Sequence, residues 1–195
     1  MGSWIEDVRT KLASPAPRRL PPSEGRPAAV LVPLYVDAGE LWTLLTKRTE
    51  QLPTHKNQFA FPGGSCELGE DPWAAARREA EEEIGLAPKA VLELGRLDEL
   101  ISVSGGFTIV PCVGAVPFPL TTSINEAEIA ELFAVPLTAF ANPRLIEDRS
   151  VSIDGRERTL RIYHIGNRRI WGLTAAILNN LLARLGLTGL EEAVN

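Results

Sequence analysis

The chain has 195 residues, 45% apolar and 23% charged, enough for one domain with a substantial core and too few for two comfortable ones. Its net charge of -5 gives no basic footprint for nucleic acid. No run approaches the roughly 20 apolar residues of a membrane span, and the charged start MGSWIEDVRTKL does not read as a secretory leader. The spacing of Trp4, Ile5, Val8 and Leu12 predicts a helix over residues 4–13, and the connector PAPRRLPPSEGRP cannot continue it. AAVLVPLYVD and LWTLLTKR read as two strands of a hairpin turning at Asp37-Ala38-Gly39-Glu40. A long loop from Thr49 to Gln58 follows.

Asp71 is a cap and Pro72 a first helical residue, while Gly85 suits a left-handed end, so a helix is expected over Pro72 to Ile84. VLELGRLDELISV and FTIVPCVGAVPF read as a second antiparallel pair around Ser104-Gly105-Gly106. Helix and strand compete in NEAEIAELFAVPL, where Asn125 is a plausible cap; the favoured reading is a loop entering a strand at about Glu131 to Val135. TLRIYHI alternates as a strand does, and WGLTAAILNNLLARLG is a helix closing at Gly186. Strands mixed with three helices imply an α/β layered domain over residues 27–186. Residues 1–26 are expected as a helical arm and linker, able to reach a second subunit in a homodimer, and 187–195 as a tail. Cys66 and Cys112 have no paired or zinc-like spacing, which predicts a soluble protein in the reducing cytoplasm.

The chemistry concentrates in REAEEEIGL, residues 78–86. At helical pitch Trp73, Ala76, Ala80 and Ile84 form the packing stripe, and Glu79, Glu82 and Glu83 gather on one flank. Glu81 points to the other side. Like charges at this spacing repel, so a cation should offset them. Oxygen-only ligands select a hard ion, Mg²⁺ with Mn²⁺ as its substitute. The Gly63-Gly64 turn upstream lets backbone approach a ligand closely. From composition alone a solvated acidic face competes with this metal site, and the spacing to the upstream glycine shifts the balance.

Gly64, five residues, Glu70, seven residues and then Arg78-Glu79-Ala80-Glu81-Glu82-Glu83-Ile84-Gly85-Leu86 resembles the Nudix box at every fixed position. The resemblance implies the Nudix fold, a mixed β-sheet sandwiched between α-helices, and hydrolysis of a nucleoside diphosphate linked to another moiety. By motif position Glu79 and Glu83 would be the principal metal ligands and Glu82 an additional one, itself a candidate base. Glu70 and Arg78 would form an ion pair steadying the loop against the helix. In this family the general base is a box glutamate or one from a distal loop; Glu128 is the preferred candidate, with Glu126 and Glu131 competing.

Upstream, LLTKRTEQLPTHKNQFAFPGG, residues 44–64, is similar to the signature of coenzyme A pyrophosphatases through Leu44, Leu45, Thr46, Arg48 and Phe61-Pro62-Gly63-Gly64. Pro53 and Asn57 stand where that pattern has Arg and Gly. The resemblance implies cleavage of coenzyme A or acyl-CoA to 3',5'-ADP and a 4'-phosphopantetheine species. Another diphosphate such as ADP-ribose, or a Nudix-like module without turnover, are the competing readings. The 3'-phosphate and diphosphate make Lys47, Arg48, His55 and Lys56 candidate substrate contacts, Arg48 the best of them, with Gly63 and Gly64 lining the phosphates. Cys66 lacks an activating base and reads as an inert thiol. His164 reads as a packed or half-exposed strand residue, and Trp4, Trp42, Trp73 and Trp171 as core or interface residues of which one is free to stack on a base.

Overall fold

The computed structural model describes residues 2–21, 25–50, 58–102, 106–153 and 156–188. Helix α1 (Gly2–Ala13) leads into the central strand β1 (Arg26–Asp37), which turns through Ala38 (φ 48°) and Gly39 (φ 85°) into β2 (Glu40–Arg48). Two positive φ values in a two-residue loop match the right-handed twist of the strands they join. Short strands β3 (Phe59–Ala60) and β4 (Gly63–Ser65) precede α2 (Pro72–Ile84), and β5 (Leu92–Arg96), β6 (Leu100–Ile101), β7 (Phe107–Ala115) and β8 (Ile129–Pro136) follow it. The chain continues through α3 (Leu137–Ala141), β9 (Ile146–Ile153), β10 (Arg156–Ile165), β11 (Arg168–Ile170) and α4 (Gly172–Leu185).

Among the described residues the main sheet runs β3-β2-β1-β7-β5, with β4 on β1, β6 on β7 and β8 on β2. β1 and β7 are parallel and the other pairs antiparallel, so the sheet is mixed. Strand alternation sends side chains to two cores. Leu31, Tyr35, Leu44 and Cys112 meet Trp73, Ala76, Ala80 and Ile84 of α2, whereas Val32, Leu34, Leu45 and Val113 meet α1 and α4.

Residues at both ends of α2 take the expected roles. Asp71 accepts from the Trp73 N–H at 2.8 Å, and Gly85 (φ 68°) closes the last turn. Elsewhere the structure departs from expectation. The apolar stripe of α1 is consumed within its own chain: Val8 and Leu12 are buried in the α4-side core, and Arg184 of α4 donates to Leu12 O and Pro15 O. β8 starts at Ile129, earlier than expected. A second sheet, β11-β10-β9, went largely unread; β9 (IEDRSVSI) is mostly polar, with no alternation to announce it. No helix among the described residues is long and apolar enough to cross a membrane.

Candidate active site

The loop Phe61–Glu70 wraps over α2 because glycine lets it lie flat against β1. Gly63 pairs with Val30 and Gly64 with Ala29, and a Cβ on Gly64 would fall 2.6 Å from the Glu79 carboxylate. Backbone therefore reaches the acidic flank of α2 where a side chain could not. The Gly63 N–H points at Glu83 Oε2 at 3.3 Å.

Glu83 is the deepest of the carboxylates, 3% exposed. Arg48, from the end of β2, donates to its Oε1 at 3.3 Å. Burial pushes the Glu83 carboxyl up to about 7 against the opposing pull of Arg48, and the charges of Glu79 and Glu128 add to the rise. Glu79 and Glu82 sit nearer the rim, with Arg78 Nη1 donating to Glu79 at 2.8 Å and to Glu82 at 3.5 Å.

Arg78 is the clamp of the site. It grips Glu70 with two parallel bonds, Nε to Oε1 at 3.0 Å and Nη2 to Oε2 at 3.1 Å, and also donates to Ser65 O at 3.1 Å. Those bonds, with help from the Glu67 N–H, hold the Glu70 carboxyl below its ordinary range. Arg78 thus ties loop, helix and Glu79 together, and geometry of this kind needs the planar fork of arginine. Arg78→Lys should lower kcat/KM by roughly 10- to 100-fold, the usual cost of losing a group that orients metal ligands, with the melting temperature shifted by only a few degrees. Steady-state kinetics beside a thermal melt checks this; wild-type kinetics in the lysine variant would remove the clamp role.

A distal loop completes the wall. Ser123 N donates to Ile84 O and Asn125 N to Glu83 O, both at 2.9 Å, while Asn125 Nδ2 lies 3.4 Å from Glu128 Oε1. Thr49 N donates to Glu128 O at 2.8 Å, and its hydroxyl donates to Ala127 O at 3.2 Å. Glu128 is therefore held beside Glu83. Asn125, read only as a possible cap, anchors this loop: its Oδ1 accepts from Ala127 N, an Asx turn. Glu126 is exposed. Glu131 is bound to Arg168 on the opposite face of the sheet, which takes it out of competition for the base.

Lys47 also parts from its neighbour. It alternates to the face opposite Arg48, so the structure does not bring it to the acidic helix. His55, Lys56, Pro53 and Asn57 lie outside the described residues. Both cysteines are free; burial pushes Cys112 up to about 12 and Cys66 upward, as inert thiols require. His164 is hydrogen-bonded to Glu147 at 2.8 Å on the second sheet.

The donor set suits a hard divalent cation: oxygen only, one carboxylate deep and two at the rim. Glu79, Glu82 and Glu83 would hold it, and it would supply charge neutralisation at the phosphate oxygens and an acidified water. Among the described residues no three Asp, Glu, His or Cys side chains converge as a ready-made cage. Arg78 draws Glu79 and Glu82 to itself while Arg48 holds Glu83.

The NUDIX domain model matches residues 25–153, spanning the loop, α2 and the distal loop. The chain is a Nudix hydrolase. It is 38% identical to proteins named uncharacterized Nudix hydrolase NudL from Photorhabdus laumondii, over 86% of this chain and 88% of that one, and from Pectobacterium atrosepticum, over 86% and 89%. A MutT/nudix family protein from Enterococcus faecalis shares the fold with a TM-score of 0.58 at 16% identity, covering 95% of this chain and 75% of that chain. Nudix hydrolases generally use divalent metals, typically Mg²⁺, and act on small nucleoside diphosphate substrates.

Proposed function

We propose that this Nudix hydrolase cleaves the diphosphate of coenzyme A or acyl-CoA in the cytoplasm with Mg²⁺, or Mn²⁺ in its place, giving 3',5'-ADP and a 4'-phosphopantetheine species. The observation that carries the reading is the contact between Arg48 and Glu83 at 3.3 Å. Arg48 belongs to the upstream signature and Glu83 to the box, so the two sequence features act on one site. In this reading Glu79 and Glu83 are the principal metal ligands and Glu82 an additional one. Arg48 receives a phosphate oxygen, and the Gly63-Gly64 backbone gives the diphosphate room.

Glu128 takes the role of general base, since its loop is anchored on the C-terminal end of α2 beside Glu83. Glu128→Gln should reduce kcat by about 100-fold, with KM little changed. Turnover within a few-fold of the wild type would hand the role to Glu82.

Product chromatography after incubation with coenzyme A or ADP-ribose, with Mg²⁺, Mn²⁺ or EDTA, tests the substrate. The expected result is metal-dependent release of 3',5'-ADP well above release of AMP from ADP-ribose. The reverse order would reassign the enzyme to another nucleoside diphosphate.

A further inference from the structure

Behind the end of β2, on the face away from Glu83, lies an open cleft of about 280 Å³. Lys47, Phe59, Glu131, Arg168, Arg169 and Trp171 line it. Three cations face one carboxylate, in a chain whose net charge is -5. Glu131 is already committed to Arg168, whose guanidinium also lies 4.7 Å over the Phe133 ring. Among the described residues neither Lys47 nor Arg169 has an ion-pair partner. Trp171, at the mouth of α4, is 46% exposed, unusual for the largest aromatic side chain.

Unpaired cations beside an exposed indole suit one kind of ligand. A phosphomonoester takes charge-assisted bonds from lysine and arginine, and a nucleobase stacks on an aromatic face whatever its identity. We propose that this cleft binds an aromatic base carrying a phosphomonoester, with Lys47 and Arg169 on the phosphate and Trp171 on the base. Two sources share that chemistry: the 3'-phosphoadenosine end of the substrate itself, and a free nucleotide bound apart from catalysis. The first rests on the coenzyme A reading above. Lys47 directly precedes Arg48, so the cleft and the acidic site share the end of one strand.

Calorimetric titration of the full chain with 3',5'-ADP in EDTA tests the site, because without metal the acidic flank of α2 repels anions. Binding is expected in the wild type, with adenosine much weaker. Lys47→Ala, Arg169→Ala and Trp171→Ala should each weaken it by roughly tenfold, the worth of one such contact, with unchanged melting temperatures. No binding by the wild type, or equal affinity in all three variants, overturns the site. Comparing kcat/KM for coenzyme A and dephospho-coenzyme A, which lacks only the 3'-phosphate, separates the sources. A preference that collapses in Arg169→Ala assigns the cleft to the substrate; a preference that survives while 3',5'-ADP binding is lost assigns it to a free nucleotide. If the wild type hydrolyses neither compound with Mg²⁺, the coenzyme A reading fails while the titration still decides the cleft.

Discussion

Glu83→Gln is expected to lower turnover by more than about 100-fold, since even groups one step removed from a metal ligand are worth 10- to 100-fold, and at the same time to stabilise the metal-free protein above neutral pH. The second effect follows from burial. The Glu83 carboxyl titrates near 4.5 in an unfolded chain and near 7 in the folded one, so between those values the native state binds more protons. The contribution of Glu83 to wild-type stability therefore falls as pH rises from 4.5 to 7 and is flat beyond. A glutamine has no such penalty. Above pH 7 the variant should gain at most about 3 kcal/mol, reduced by the Arg48 partner it leaves without a carboxylate. Below about pH 4.5 the two should converge. Denaturant melts in EDTA at pH 4.5 and 8, beside turnover with Mg²⁺, measure both effects. A variant less stable than the wild type at pH 8 would mean that Glu83 is held ionised by its neighbours. Near-normal turnover would remove it from the metal site.

Gly63→Ala should destabilise the fold by about 3 kcal/mol, the range of backbone clashes that nothing can relieve. An added Cβ would lie 2.3 Å from Ala29 O and 2.6 Å from Val30 Cα, atoms of a strand that cannot retreat because β1 is paired with β7 from Arg26 to Leu34. β4 must peel away instead. That breaks its register with β1, strains the flanking bonds from Leu31 N to Pro62 O and from Cys66 N to Pro27 O, and withdraws the Gly63 N–H from Glu83. Gly69→Ala is the control: like Gly63 (φ 156°) it has a positive φ, 79°, but it meets nothing within 4 Å, so its cost should stay near the roughly 1–2 kcal/mol of a left-handed alanine. Urea midpoints at unchanged slope give both numbers. Equal midpoints would show that conformation alone, and not the close approach to β1, demands glycine at position 63.

What the amino-acid sequence determines by itself is local. The limits of α2 follow from Asp71, Pro72 and Gly85, and its packing face from Trp73, Ala76, Ala80 and Ile84, because caps and helical pitch act within a few residues. The Glu70–Arg78 pair was expected through the resemblance to the Nudix box, whose motif positions the two residues fill, and not from any local periodicity. The tertiary structure decided what spans longer distances. Lys47 and Arg48 stand together in the sequence as candidate substrate contacts, and only the layers on either side of β2 put Arg48 with Glu83 and Lys47 with Trp171. Glu128 is the preferred base in the sequence with Glu126 and Glu131 competing; the Asx turn at Asn125 and the pairing of Arg168 with Glu131 are what separate Glu128 from Glu131. The stripe of α1 names no partner, and the polar strand β9 has no buried face to reveal it. Register between distant segments is set by which faces find cover from water, and no local periodicity records that choice.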